Sequence, residues 1–295
     1  MTEMTVRAQK AAGDMLALTA SAHFLNDMIQ SVIPASFPVI RANYALTFAE
    51  IALIGAALQL TASVLQPFIG AVCDRKPRPY SLVFGMMLMF IGLILLTRAP
   101  GFALLVAATA LIGCGSAVFH PEASRAVQTA GAGRKALAQA VFQLGGNAGS
   151  AVGPLAAAFV LAVAGQHGIG WFAAAAVLAA ILLVGVARAG RRLRSCVKKV
   201  SASVVSVLPE SIVRKAFLLL FVLMFSKQIY VSCLTNFLTF FLIEKFSVSV
   251  DVSQYVLFGF LAAGAFGTLA GGFLIDRFGR RNVIFGRFSV RRLLH

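Results

Sequence analysis

Two copies of one short pattern, far apart in the chain, decide how its fold is interpreted. Residues 70–78 read GAVCDRKPR, and residues 272–280 read GFLIDRFGR. Each copy has a glycine, an Asp-Arg pair beginning four residues later and an arginine eight residues later, so that Asp74 and Asp276 are 202 positions apart. Each copy also follows the second long apolar segment of its own block. A pattern repeated in this way indicates a chain built from two related blocks of helices.

Long apolar segments make up most of the chain. Hydrophobic residues account for 59% of the 295 residues and charged residues for only 12%, whereas soluble domains carry roughly 25% charged residues. A segment of about 18 or more apolar residues is long enough to cross a bilayer. Strand-like alternation is absent, so the segments should cross as helices, which satisfy their own backbone hydrogen bonds. We therefore predict an all-α integral membrane protein with eight spans, at residues 15–40, 48–71, 80–97, 102–124, 137–163, 168–187, 216–243 and 253–275.

The basic residues fall mainly on one side of these predicted spans. The formal net charge is +16, and if the spans alternate in direction, 22 of the 26 Lys and Arg residues lie on one side and three on the other. The larger group occupies the N-terminus, the C-terminal tail and the loops at residues 72–80, 120–137 and 188–215. This asymmetry follows the positive-inside rule and predicts that both termini are cytoplasmic. It accounts for the positive charge without a nucleic-acid partner.

The sequence favours neither a metal centre nor an enzyme. The four cysteines, Cys73, Cys114, Cys196 and Cys233, form no CxxC pair, so we expect no metal site, disulfide framework or cofactor. The chain lacks the Gly-x-Ser-Gly nucleophile motif of an intramembrane serine protease, and it lacks the Gly-x-x-x-x-Gly-Lys loop that grips nucleotide phosphates. The first apolar segment contains Asp27 and no clear cleavage site, so we interpret it as a retained span.

The predicted spans divide the chain into four parts. Residues 1–187 form a six-helix bundle, and residues 188–215 form a basic linker that either lies against anionic headgroups or is simply solvated. Residues 216–286 hold two further spans and the second copy of the repeat. The last nine residues, 287–295, read RFSVRRLLH and carry three arginines, so they cannot form a ninth span. We expect this ending to be an aberrant tail on a truncated second bundle.

The first span carries the most prominent polar group. His23, Asn26, Asp27 and Gln30 lie at positions i, i+3, i+4 and i+7, which share one face of a helix. An ionisable side chain near the middle of a span costs on the order of 3 kcal/mol by insertion scales, so Asp27 should face water, a partner or a substrate. We consider His23 and Asp27 candidates for proton coupling, and Asn26 and Gln30 candidates for a substrate cavity. The alternative is a structural polar contact between helices.

The fourth span ends in a second polar group. His120, Glu122 and Arg125 surround Pro121, which weakens the helix at this point. Glu122 and Arg125 are three residues apart and should pair. The three polar residues are candidates for a proton relay or an inner gate. The alternative, equally open, is an ion pair that ends the span at the headgroups.

Two later spans supply further candidates for the cavity. In the fifth span, Gln143 and Asn147 are one helical turn apart, while the nearby Gly149-x-x-x-Gly153 spacing is typical of close helix packing. In the seventh span, Lys227 lies near the position that the repeat relates to Asp27, where it would attract an anion or neutralise Asp27. Asn236, in the same span, is the last candidate for the cavity.

The repeated pattern resembles the signature loop of the major facilitator superfamily. The second copy matches the signature fully, whereas the first has Pro77 where glycine is usual. The resemblance implies a transporter of helical-bundle fold with a complete six-helix first half and two helices of the second half. Its signature residues are Gly70, Asp74, Arg75, Arg78, Gly272, Asp276, Arg277, Gly279 and Arg280.

Four further stretches resemble the fosmidomycin-resistance branch of that superfamily. They are HFLND at residues 23–27, FHPEASR at 119–125, FQLGGNAGS at 142–150 and NFLTFFLI at 236–243. This resemblance implies an inner-membrane antiporter that exchanges protons for a small drug such as fosmidomycin. Two departures matter: such carriers have twelve spans, and Thr109 stands near the position where an arginine is frequent. The alternative is a truncated, non-transporting remnant of such a carrier.

Overall fold

The chain folds entirely into helices in the ranges that the structure describes. This computed structural model describes residues 3–75, 80–131, 135–196 and 209–278, and no strand occurs in those ranges. The predicted all-α class is confirmed. The helices are α1 (Glu3–Ala35), α2 (Phe37–Tyr44), α3 (Phe48–Arg75), α4 (Ser81–Thr97), α5 (Phe102–Ala130), α6 (Lys135–Ala164), α7 (Phe172–Cys196), α8 (Glu210–Phe246) and α9 (Val250–Phe278), with a short 3-10 helix at Gly165–Trp171.

Most of these helices have the length and composition of membrane spans. Within the described residues, five apolar helical segments are long enough to cross a membrane: Phe48–Cys73, Phe102–Ala130, Ala138–Leu193, Glu210–Phe246 and Val250–Gly267. The third segment contains both α6 and α7, and α4 is apolar but only 17 residues long. The long helices overlap the eight predicted segments, but the number that cross a membrane stays a prediction.

The first predicted span is wrong at its end. Residues 15–40 were expected to form one helix, but α1 stops at Ala35 and α2 starts at Phe37. Pro38 lies in the first turn of α2, where a residue without a backbone N–H is tolerated. Between the two helices, the Ser36 N–H donates to the carbonyl oxygens of Val32 and Ile33 over 3.0 Å. The second proline therefore starts a new helix instead of continuing the first.

Helix α1 lies at the centre of the bundle and contacts α5, α6 and α7. Its approach to α6 is close because small residues of α6 face it. A Cβ atom at Gly149 would overlap the carbonyl oxygen of Phe24, and one at Gly153 would overlap the hydroxyl of Ser31. The predicted packing role of this glycine spacing agrees with these contacts. The polar face of α1 is thereby held in a fixed position against α6.

Helices α8 and α9 contact the bundle unevenly. The side chains from Phe217 to Phe225 on α8 are all exposed, whereas Thr239 and Phe240 near its C-terminus are buried. Helix α9 packs on α6 and α8, and the amide of Gln254 donates to the carbonyl oxygen of Ala35 over 3.0 Å. The first part of α8 therefore presents an apolar surface of the kind that lipid covers.

Candidate functional site

Three ionisable side chains from α1 and α5 meet at Asp27. His23 Nε2 lies 3.2 Å from Asp27 Oδ2, and His120 Nε2 lies 3.5 Å from Asp27 Oδ1. The side chain of His23 is 3% exposed, that of Asp27 18% and that of His120 27%. We call these three residues the Asp27 triad. It places a carboxylate between two imidazoles at a position that is partly open.

The backbone and neighbouring rings fix both imidazoles. His23 Nδ1 lies 2.7 Å from the carbonyl oxygen of Phe142, and the two rings stack with centroids 3.9 Å apart. His120 Nδ1 lies 3.1 Å from the carbonyl oxygen of Ser116, one turn earlier in α5. Because a carbonyl oxygen can only accept, His23 Nδ1 donates its hydrogen to Phe142. His120 Nδ1 also lies 3.1 Å from the Ser116 hydroxyl, so it can donate to the carbonyl or accept from that hydroxyl. Each Nε2 atom is left to face Asp27.

The other polar residues of the α1 face support the carboxylate. Asn26 Nδ2 donates to Asp27 Oδ1 over 2.8 Å, and Gln30 Nε2 donates to the same oxygen over 3.4 Å. Asn26 is fully buried, and its Oδ1 atom has no hydrogen-bond partner among the described residues. The four predicted residues of this face therefore do converge, with Asp27 at the point of convergence.

Gly146 on α6 closes one side of the triad, and the sequence did not single it out for this role. A Cβ atom there would lie 2.5 Å from His23 Nε2 and 2.6 Å from Asp27 Oδ2. The only signal in the sequence was the run of small residues on α6, which also fits plain helix packing. Phe142, whose carbonyl and ring hold His23, was likewise not predicted.

The rest of the fourth-span group separates from His120. Arg125 Nη2 donates to Glu122 Oε2, and Arg125 Nη1 donates to the carbonyl oxygen of Cys73 over 2.6 Å. Ser81 Oγ also donates to Glu122 Oε2, over 3.0 Å. Glu122 is buried, and it ties α5 to the start of α4 through Ser81, while Arg125 ties α5 to the end of α3 through Cys73. This geometry fits the ion-pair alternative for Glu122 and Arg125 better than a relay that includes His120.

The remaining cavity candidates do not reach the triad. Gln143 is exposed and Asn147 half-buried on α6, and neither hydrogen-bonds to the triad in the described part of the chain. Lys227 is exposed on α8 and forms no ion pair with Asp27 there. Asn236 Nδ2 donates to Ser232 Oγ over 3.2 Å, and its Oδ1 lies against Gly55 of α3. Asn236 thus contributes to the contact between α8 and α3.

The two signature loops are described only in small part. Gly70 lies close to Pro121, so the end of α3 contacts α5. Three predicted signature residues lie outside the described part of the chain: Arg78, Gly279 and Arg280. Five more are described by their helical backbone alone: Asp74, Arg75, Gly272, Asp276 and Arg277.

A second polar contact joins α2 to α8 at the opposite end of the bundle from these loops. Arg41 Nη1 donates to Glu244 Oε1 over 2.9 Å, and the Arg41 guanidinium lies 3.9 Å from the centroid of the Phe48 ring. Phe48 in turn meets Phe240 edge to face, with centroids 5.3 Å apart. In the sequence, Arg41 is only one of the three basic residues predicted on the outer side, because nothing in the sequence predicts which helices adjoin.

An open groove of about 490 Å³ lies between α1, α6 and α7. Apolar side chains such as Phe24, Leu144 and Leu178 line most of it, and Ser21 is its polar contribution. Without a charged residue it offers no partner for an anion, so we do not include it in the candidate site.

Comparisons with known proteins agree with this architecture. Residues 19–290 match the Major Facilitator Superfamily. The chain is 42% identical over 285 residues to the fosmidomycin resistance protein of Escherichia coli (strain K12), covering 96% of this chain and 70% of that protein. It is 38% identical over 277 residues to an uncharacterised MFS-type transporter, YfnC, of Bacillus subtilis (strain 168), covering 92% of this chain and 68% of that one.

A solved structure shares the fold. It is a bacterial homologue of the human lysosomal transporter Spinster in an inward-facing, unoccupied conformation, with a TM-score of 0.71 at 19% sequence identity. The match covers 92% of this chain and 64% of that structure, so the chain spans about two thirds of its length. From the sequence match and the shared helical fold, this chain belongs to the Major Facilitator Superfamily of membrane transporters.

Proposed function

We propose that the protein exports a small drug of the fosmidomycin class in exchange for protons, and that Asp27 is the group that accepts the proton. The observation that carries the proposal is the position of the Asp27 carboxylate, in the C-terminal third of α1 and between two imidazoles. The name of the relative from Escherichia coli, 42% identical, supports the choice of drug.

The geometry of the triad suits proton exchange. An ionisable residue inside a transmembrane segment is costly and is found mostly on substrate or ion pathways. The side chains of Asp27 and His120 are both partly exposed, so protons can reach the carboxylate, while His23 is closed off behind them. Imidazoles are common proton shuttles because their charge changes near neutral pH. His120 therefore serves as the entry group and His23 as the fixed neighbour of Asp27.

We propose the substrate site from the charge of Lys227 and from the positions of polar side chains on α1 and α6. Fosmidomycin is a phosphonate, so an anion-binding side chain is needed beside the pathway. Lys227 is a single cation in the middle of α8, whose side chain is exposed, and an exposed ammonium in a span is favourable only beside water or an anion. Polar side chains on α1 and α6 complete the proposed cavity: Asn26, Gln30, Gln143 and Asn147.

The orientation is proposed from the distribution of charge. The basic loops at residues 72–80, 120–137 and 188–215 support an orientation with both termini in the cytoplasm, and we take the membrane to be the inner membrane. The end of the bundle that holds Arg41 and Glu244 is then the periplasmic end.

The experiment compares two identical substitutions on one helix. Asp27→Asn keeps size and hydrogen bonding but cannot accept a proton, while Asp14→Asn makes the same change at an exposed position of α1. Both variants are expressed in an efflux-deficient, fosmidomycin-sensitive host, and membrane protein levels are matched by immunoblotting. We expect resistance with the wild type and with Asp14→Asn, and sensitivity with Asp27→Asn.

Two results would count against the proposal. Resistance that survives Asp27→Asn would remove Asp27 from coupling and leave it a structural contact. A well-inserted wild-type protein that confers no resistance above the empty vector would indicate a membrane protein that does not transport this drug.

A further inference from the structure

The Asp27 triad has the composition and spacing of a metal site. One ligand atom from each of His23, Asp27 and His120 lies within 4.8 Å of the others. The two nearest approaches, 3.2 Å and 3.5 Å between imidazole nitrogen and carboxylate oxygen, are close to the separation of about 3.3 Å between neighbouring ligands of tetrahedral zinc with bonds near 2.0 Å. The two approaches are to different oxygens of Asp27, so the two imidazoles must close onto one carboxylate oxygen to share one ion.

The hydrogen bonds of the two rings leave the correct nitrogen available. His23 Nδ1 donates to the carbonyl oxygen of Phe142, and His120 Nδ1 lies 3.1 Å from both the carbonyl oxygen and the hydroxyl of Ser116, so it too can donate. In the neutral imidazole, Nε2 then carries the lone pair. When Nδ1 of both rings carries the hydrogen, two lone pairs and a carboxylate point at one another, and a metal ion between them satisfies all three.

The surroundings of the triad match those of known metal ligands. A histidine that binds a metal usually donates its second nitrogen to a carbonyl or carboxylate, which fixes the ring. His23 does so here, and His120 has the carbonyl oxygen of Ser116 within hydrogen-bond distance. Asn26 and Gln30 donate to Asp27 and hold the carboxylate. Gly146 leaves room beside His23 Nε2, where any larger residue would intrude.

We propose that His23, Asp27 and His120 form a binding site for a divalent transition-metal ion of the zinc class. Two nitrogen ligands and one oxygen ligand favour Zn²⁺, Co²⁺ or Ni²⁺ over Mg²⁺ and Ca²⁺, which prefer oxygen. Three protein ligands leave the fourth tetrahedral position to water, on the side where Asp27 and His120 are exposed. A metal ion and a proton compete for Asp27, because a metal ligand must be deprotonated, so the site is tested by direct binding of the metal and not by export.

The test measures binding of the metal itself. The full chain is purified through a cleavable tag without histidines, treated with chelator and titrated with Co²⁺, whose visible absorption reports a tetrahedral site. We expect one ion per chain, displaced by Zn²⁺ and not by Mg²⁺. His120→Gln should weaken binding at least about tenfold, the loss typical even for outer-shell changes. His167→Gln is the matched control, because His167 is exposed in the 3-10 helix.

A second measurement guards against loss of folding. A ligand that binds only the native state raises the midpoint of thermal unfolding, so Zn²⁺ should raise that of the wild type and of His167→Gln but not that of His120→Gln. No cobalt spectrum, or equal binding by wild type and His120→Gln, would overturn the proposal. Since the readouts need neither drug nor proton gradient, their failure is separate from any failure of export.

Discussion

At the scale of single residues, the spacing along α1 predicted the site well. His23, Asn26, Asp27 and Gln30 share a helix face by periodicity alone, and the structure brings the other three onto Asp27 by contact or hydrogen bond. The partner from α5 was harder to identify, because His120 and Glu122 are two residues apart and therefore point about 200° apart around the helix. Which of the two faces α1 depends on tertiary packing, which the sequence alone did not supply.

Gly146 provides a prediction at the same scale. In Gly146→Ala the new Cβ would meet His23 Nε2 and Asp27 Oδ2, and such overpacking typically costs about 1–3 kcal/mol. We expect a lower midpoint of thermal unfolding in detergent and reduced export. Gly13→Ala is the control, because nothing lies within 4 Å of its Cβ position and alanine favours a helix over glycine by up to about 1 kcal/mol. If Gly146→Ala and Gly13→Ala had the same midpoint of thermal unfolding, the close contact between α6 and the Asp27 triad would not contribute to stability.

At the scale of elements, the helices were predictable and their breaks and partners were not. Apolar segments located the long helices, but the two prolines near Ser36 end one helix and start another within a segment of uniform hydrophobicity. The repeat placed Lys227 opposite Asp27, yet the structure exposes Lys227 on α8. A repeat shows which positions of the two blocks correspond, but it does not show which of them come into contact. Side chains such as Phe240 and Gln254 make the contact between the blocks.

The buried ion pair of α5 provides a prediction at this scale. Arg125→Ala would leave the buried Glu122 without its arginine and would remove the hydrogen bond from Arg125 to the carbonyl oxygen of Cys73. Breaking a buried pair from one side typically costs about 3–5 kcal/mol, whereas replacing both partners with apolar residues costs much less. The midpoint of thermal unfolding should therefore be lower for Arg125→Ala than for the double Glu122→Leu/Arg125→Leu variant. Arg98→Ala, at an exposed arginine that follows α4, should have little effect. If the double variant were destabilised and Arg125→Ala were not, the structural role of the Glu122–Arg125 pair would be contradicted.

At the scale of the whole molecule, composition and the repeat were enough to predict the superfamily, which the match over residues 19–290 confirms. The orientation rests on charge alone and stays a prediction. Reporter fusions near Arg41 and Arg98 should report the periplasm, and a fusion within residues 188–215 should report the cytoplasm, because basic loops are retained on the cytoplasmic side. A cytoplasmic signal near Arg41 would invert the topology and place the contact with Glu244 at the inner end.

Coupling of protons to drug movement at Asp27 is the central claim, and flux in a purified system tests it most directly. The wild type, Asp27→Asn and Asp14→Asn proteins are reconstituted separately in liposomes, and uptake of labelled fosmidomycin is followed with and without an imposed pH gradient. We predict that the gradient drives uptake by the wild type and by Asp14→Asn, and that uptake by Asp27→Asn falls to the level of protein-free liposomes. Gradient-driven uptake by Asp27→Asn equal to that of the wild type would contradict the account.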